Sequence, residues 1–93
     1  MSDPEIYEKV SIVIANYNGE QFAKQMIENL DFYYQQGCEL ILVDDGSDEG
    51  DQTLALFKKA FPGGFTVRQS NGGVAKARNS GIRAATRDFI QLF

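Results

Sequence analysis

The sequence predicts an α/β fold: a Rossmann-like three-layer arrangement in which a four-stranded, mainly parallel sheet is linked by three crossover helices. Three observations predict it. Short apolar runs recur at residues 10–15, 39–43, 65–69 and 88–93, with helix-length amphipathic stretches between them, the alternation expected of parallel strands joined by right-handed crossovers. The run Leu40-Ile41-Leu42-Val43 is continuously apolar, as suits a strand covered on both faces. That run drives straight into Asp44-Asp45-Gly46-Ser47, at the carboxyl end of a strand, where open α/β sheets hold their ligands.

The elements follow in order. After a polar lead of nine residues, Val10-Ser11-Ile12-Val13-Ile14-Ala15 has the β-branched enrichment of a strand, and Asn16-Tyr17-Asn18-Gly19 has turn chemistry. From residue 20 to about 36, Phe22, Met26, Ile27, Leu30, Tyr33 and Tyr34 recur at helical spacing, and Gly37 follows as a C-cap. The second strand is 39–43. From 48 to 61 the spacing of Leu54, Phe57, Ala60 and Phe61 predicts a second helix, stopped by Pro62-Gly63-Gly64. Residues 65–69 alternate as a third strand, and Asn71-Gly72-Gly73 forms a loop. Val74, Ala77, Arg78, Gly81, Ile82 and Ala85 then mark the inward face of a third helix. The fourth strand is 88–93. The expected spatial order is 3-2-1-4, whose reversal beside strand one creates a crevice where three polar loops, 15–19, 44–47 and 70–78, converge.

Composition narrows the function. Ninety-three residues allow one small domain, and 43% hydrophobic with 24% charged residues is ordinary for a globular chain. No basic, apolar leader and no run near the ~20 residues of a membrane span is present, so the expectation is a soluble, cytoplasmic protein. With one cysteine, Cys38, and no histidine, an internal disulfide, a zinc site and a Cys/His nucleophile pair are excluded. Residues 1–65 carry 4 basic and 12 acidic side chains, whereas 66–93 carry 5 basic and 1 acidic. An acidic chain without a basic stripe argues against nucleic-acid binding, while its basic third suits the phosphates of a small ligand. Arg83 and Arg87 read as a solvated helix face.

Several motifs fail on residues. An EF-hand loop starting at Asp45 would need a glutamate where Leu56 stands, and the glycines at 72–73 are not followed by the Gly-Lys-Ser/Thr of a phosphate loop. A receiver domain needs an aspartate at the end of a later strand, and Asp88 begins one. Asp44 and Asp45 together read as a site, whereas Ser47 and Asp48 read as the opening of the next helix.

What remains is a combination: Val10-Ser11-Ile12-Val13-Ile14-Ala15-Asn16-Tyr17-Asn18, then Val43-Asp44-Asp45-Gly46-Ser47-Asp48, then Asn71-Gly72-Gly73-Val74-Ala75-Lys76-Ala77-Arg78-Asn79-Ser80-Gly81-Ile82. In this order and spacing it closely resembles the start of family 2 glycosyltransferases, inverting enzymes of the GT-A fold. The resemblance runs from residue 10 to 93 and covers only the donor-binding front half of such an enzyme. It implies a domain at 1–93 truncated before the family's Asp-x-Asp metal motif, and transfer of a sugar from a nucleoside diphosphate donor, commonly a UDP-sugar. It implies Mg²⁺ or Mn²⁺ on the diphosphate in the full-length enzyme, with no metal ligand or catalytic base in this fragment. The acceptor, a saccharide, lipid or protein, is left open, as is a place at the inner face of the membrane. On this reading the fragment alone binds donor at most and is inactive; the alternative is a small α/β nucleotide-binding or interaction module without catalysis.

The resemblance carries the donor site onto Ala15, Tyr17, Asp44, Asp45, Gly46, Gly73 and Arg78. Tyr17 can pack on a uracil ring while Asp45 accepts its N–H, although Tyr17 can equally be an aromatic capping the sheet. Asp44 holds the loop or the ribose, and Gly46 lets the backbone turn where a side chain would crowd the donor. Gly72 and Gly73 offer N–H groups to a diphosphate or ribose. Arg78, on the inner seam of its helix, needs a partner: Asp44 or Asp45, or donor phosphate. Lys76 faces solvent. Two positions depart from the family pattern: Ala15-Asn16 where Pro-Thr is common, and Arg87 where glycine is frequent. An exposed fourth strand is expected to present an edge for homo-oligomer formation.

Overall fold

Two central strands carry the molecule, and they are central because both their faces are apolar. In the computed structural model, which describes residues 4–93, β1 (Val10–Asn16) and β2 (Glu39–Asp44) pair in parallel, Ile12 beside Leu40 and Asn16 beside Asp44. β3 (Phe65–Arg68) joins the outer side of β2 and β4 (Phe89–Leu92) the outer side of β1, both parallel. The order is β3-β2-β1-β4, as the alternation predicts. Four helices accompany the sheet: α1 (Pro4–Tyr7), α2 (Ala23–Gln35), α3 (Thr53–Ala60) and α4 (Val74–Ala84). The first is a short turn of helix inside what reads as a polar lead.

Handedness sorts the helices into layers. α2 and α3 follow connections that step in one direction across the sheet, so right-handed crossovers put both on one face; α4 steps back past β2 and β1 and lands on the other. Side chains divide accordingly. Ile12, Ile14, Leu40 and Leu42 meet Met26, Leu30, Phe57 and Phe61, while Ile41 and Val43 meet Ala77 with Ala15 and Ala84 packed around them. Cys38 is buried in the first of these layers, and burial pushes its thiol pKa up.

α4 lies close to the sheet because its seam is small. A Cβ on Gly81 would stand 2.2 Å from Cγ1 of Val13, so only glycine permits this approach. The buried seam is Ala77 and Gly81, whereas Val74, Arg78 and Ile82 run along an exposed flank. The predicted inward face is therefore half right: a seam this narrow has room for small residues, and the larger ones turn outward. Phe22 is likewise exposed, in a 3-10 turn (Glu20–Phe22) before α2.

At the amino end of the sheet Glu39 ties three segments together. It accepts from the Ser11 hydroxyl at 2.7 Å, the Thr86 N–H at 2.9 Å and the Thr86 hydroxyl at 2.7 Å. Arg87 donates to the carbonyls of Gly37, at 3.2 Å, and Glu8. Its position is a turn fastening β4 to β1 and β2, not a solvated helix face, which accounts for a side chain where glycine was expected. Arg83 does lie exposed on α4. β4 itself is an edge, with Phe89, Ile90 and Leu92 all exposed. No described helix is long and apolar enough to cross a membrane.

Gly81→Ala is expected to destabilise the chain by about 1–3 kcal/mol, the usual range for overpacking a tight contact. Urea unfolding followed by circular dichroism checks it; an unchanged midpoint would show that α4 can lift off β1 at no cost.

Candidate functional site

The carboxyl ends of β1 and β2 terminate in polar residues that cannot remain unpaired, and their pairing builds the site. Asp44 is buried, 3% exposed. Its Oδ1 accepts from Asn16 Nδ2 at 2.9 Å and from the Ser47 hydroxyl at 2.7 Å, and its Oδ2 accepts from the Ser47 N–H at 3.2 Å. Arg68 Nε lies 3.8 Å from Oδ2. Asp44 therefore holds the loop, one of the two roles its position allowed.

The loop after β1 is clasped to the loop after β2. Asn18 adopts a positive φ of 49°, which asparagine tolerates. Its N–H donates to Ser47 Oγ at 2.8 Å, and its Oδ1 accepts from the Asp48 N–H at 2.8 Å. Glu20 accepts from the Gln52 N–H, and Asp51 accepts from the Thr53 N–H at 2.9 Å. Side chains thus take the amides of Asp48, Gln52 and Thr53, where a helix from 48 would pair the last two with the carbonyls of Asp48 and Glu49, and α3 starts only at Thr53. Ser47 and Asp48 are thus part of the clasp and do not open the helix.

Asp45 faces a different set of partners. Its N–H continues the ladder to the Asn16 carbonyl at 2.8 Å. Its Oδ1 accepts from Gln69 Nε2 and the Gly72 N–H, both at 2.9 Å, and its Oδ2 from the Gly73 N–H at 2.9 Å. Asp45 is 4% exposed. The Gln69 amide, then the Gly72 N–H, and further the Gly73 N–H and the Lys76 charge hold its carboxyl below the usual aspartate range, against a smaller opposing effect of desolvation.

All three polar loops do converge. The glycines act differently from expectation. The Gly72 and Gly73 amides are occupied by Asp45, an anion from the chain itself, so they are not free for a diphosphate. Gly46, at φ 76°, is required because a Cβ there would sit 2.7 Å from the Asn71 backbone nitrogen. Gly73, at φ 95°, enters α4 with open space around it. Lys76 is exposed, its stem lying over Gly72.

Tyr17 is 54% exposed, so nearly half of it is covered. It lines a cleft of about 460 Å³ on the α2 side together with Asn16, Asn18, Phe22, Met26 and Phe93. Ala15 is half-buried beneath the end of β1, packed toward Ile41, Val43 and Ala77. Arg78 meets neither aspartate: it is exposed, and no described residue bonds to it. The arginine beside Asp44 is Arg68, and the side chain holding Asp45 is Gln69. Both stand at the end of β3, a strand whose weak alternation gave no hint of a site; only its third place in the 3-2-1-4 order could have pointed there.

Metal chemistry has little to hold on to. Among the described residues no three acidic, cysteine or histidine side chains cluster as a metal would require, and the Asp44 and Asp45 oxygens are already taken by N–H and O–H donors. The residues present do not fit a divalent cation.

Comparison with known proteins settles the family. The model of glycosyl transferase family 2 matches residues 11–93. The chain belongs to that family. The family 2 chain is 35% identical over 82 residues to the uncharacterized glycosyltransferase EpsJ of Bacillus subtilis, covering 87% of this chain and 24% of that protein. It is 36% identical over 77 residues to the minor teichoic acid biosynthesis protein GgaA of the same organism, covering 77% and 17%. It thus spans about a quarter or less of the curated relatives compared. Glucosyl-3-phosphoglycerate synthase from Mycobacterium tuberculosis, solved with Mn²⁺, UDP and glucosyl-3-phosphoglycerate, shares the fold with a TM-score of 0.76 at 20% identity, over 97% of this chain and 35% of that one. S. aureus TarS gives 0.74 at 22% identity, over 91% and 16%. The four-stranded sheet is that of the GT-A fold.

The depressed carboxyls give a signed pH dependence. For Glu39, desolvation raises the pKa, but the hydrogen bonds from Ser11 and Thr86 and the Arg87 charge together outweigh it, so its pKa is lowered like that of Asp45. Stability from both groups is fully present above about pH 4, near the unfolded carboxyl values, and is lost as pH falls through the lower folded values. Asp45→Asn is therefore expected to be less stable than the parent at neutral pH, with the gap closing in acid. Urea midpoints between pH 2 and 7 measure this, and a gap independent of pH would exclude ionised Asp45 as its source.

Proposed function

We propose that this chain is the donor-binding portion of an enzyme that transfers a sugar from a nucleoside diphosphate, of the UDP-sugar kind, to a saccharide, lipid or protein acceptor with inversion at the anomeric carbon. The observation that carries the reading is Asp45, an ionised carboxylate at the switch point of a family 2 sheet, held by three donors. A carboxylate has about four lone-pair positions, so one acceptor position is left for the N–H of a base.

In this reading Tyr17 stacks on the base, and its exposure supports that. Ala15 lies beneath the ring, Gly46 and Gly73 shape the loops around it, and Asp44 holds the floor. Arg78, exposed and without a partner among the described residues, is free to meet donor phosphate. The metal, Mn²⁺ or Mg²⁺, belongs to the full-length enzyme; the Mn²⁺ present with UDP in the mycobacterial synthase supports it for the fold. Both site carboxylates are engaged by internal donors, and the one acceptor position left on Asp45 is taken in this reading by the N–H of the nucleobase, which supports a chain that binds donor without transferring sugar.

A second reading, a small α/β nucleotide-binding or interaction module without catalysis, is favoured by the same internal engagement of Asp44 and Asp45. NMR titration of the chain with UDP, with and without Mn²⁺, separates the two. The donor reading expects shifts around Tyr17 and Asp45 that are lost in Asp45→Asn, while the rest of that variant's spectrum stays folded. A folded chain that shows no shift at about millimolar UDP, a concentration covering affinities down to about 4 kcal/mol, would remove the donor reading for these residues.

We also propose that the apolar β4 edge pairs with a second chain, since Phe89, Ile90 and Leu92 leave both faces of an edge strand uncovered. Light scattering is expected to show mass rising with concentration. A constant monomer mass would dismiss the pairing.

A further inference from the structure

Gln69 belongs to none of the three motifs, yet it is the only side chain that donates to Asp45 among the described residues. Its amide has a donor end and an acceptor end of nearly equal size, and rotation by half a turn would present the wrong one. Asp45, an acceptor-only carboxylate, takes the donor end, and the Ser80 hydroxyl on α4 donates to Gln69 Oε1, so both ends of the amide are held in that orientation. Arg83 Nη2 donates in turn to Ser80 Oγ at 3.3 Å, so the hydroxyl proton is available to Gln69.

The consequence falls on Asp45. Gln69 and Gly72 fill Oδ1, whereas Oδ2 receives Gly73 alone. The unfilled lone pair is therefore on Oδ2. Without Gln69 the two oxygens would differ little, each with one backbone donor, and the carboxylate could rotate to exchange them. We propose that Gln69, oriented by Ser80, is the positioning residue that fixes the Asp45 carboxylate so that its open Oδ2 position selects a base bearing a ring N–H, as uracil does at N3, over one bearing an acceptor there, as cytosine does. This rests on the donor reading above and adds to it the residue that sets base selectivity. The same hydrogen bond is the foremost cause of the lowered Asp45 carboxyl, consistent with a group kept as an acceptor.

The test compares UDP with UDP methylated at N3, which keeps the ring, ribose and diphosphate but has no N–H to give. Binding to the full chain is followed by NMR and calorimetry. The parent is expected to prefer UDP by about tenfold or more, the scale of a hydrogen bond to a charged group. Gln69→Leu is expected to bring the two ligands within about twofold by weakening UDP while leaving the methylated ligand unchanged, since only the oriented hydrogen bond is lost. Ser80→Ala, which takes away the donor to Gln69 Oε1 and loosens the side chain but removes no donor to Asp45, is expected to lie between. If Gln69→Leu keeps the full preference, or weakens both ligands equally, Gln69 is structural and the inference falls while the Asp45 reading stands. If the parent shows no preference, both fall together. Should Gln69→Leu fail to fold, Ser80→Ala decides alone: a retained preference overturns the inference, and a reduced one upholds it.

Discussion

Asp44 is the residue on which the site depends. A carboxylate buried at the end of a central strand cannot be left alone: an uncompensated buried charge costs several kcal/mol, against a total stability of about 5–15 kcal/mol for a domain. The chain resolves this by bringing Asn16 from β1 and Ser47 from the following loop onto its oxygens, with Arg68 from β3 nearby. Three strand ends are thereby held at one level. Because the next residue continues the ladder to the Asn16 carbonyl, holding Asp44 also determines where Asp45 begins.

The two aspartates, adjacent in sequence, then do different work. Successive residues of an extended chain point to opposite sides: Asp44 turns toward the β1 loop and its clasp, and Asp45 toward the loop before α4. One face of the pair consolidates the fold, and the other gathers donors from Gln69, Gly72 and Gly73. This division explains why the glycines at 72–73 do not serve as a free anion site. Their amides do bind an anion, as N–H groups at a helix start tend to, but the anion is Asp45.

Much of the fold was legible because burial on both faces writes a simple signal. Leu40, Ile41, Leu42 and Val43 can be little other than a covered strand, and a helix between each pair of strands leaves few topologies once handedness is imposed. The site was legible at Asp44, Asp45 and Gly46 for the same reason: polar residues placed directly after such a strand. The extent of the second helix was not. Nothing in Asp48, Glu49 and Asp51 distinguishes a helix start from a loop, and the decision is made by Asn18 and Glu20, some thirty residues earlier in the chain, whose side chains take the amides of Asp48 and Gln52. Long-range side-chain capping of this kind leaves no local pattern to read.

Arg78 shows a second kind of failure. Spacing from Val74 to Ile82 places it on a seam, and the seam exists, but Gly81 rotates the contact one position away, to Ala77 and Gly81. A helix that must come within reach of Val13 settles on its smallest residues, whatever its apolar moment would favour. The arginine is then carried to the exposed flank, without a carboxylate partner among the described residues and without the cost of burying an unpaired charge. The narrow seam thus separates two tasks that the spacing had merged: small residues bring α4 down over β1 and β2, and the flank keeps a permanently charged guanidinium in water, where it can meet an anion without displacing an internal one.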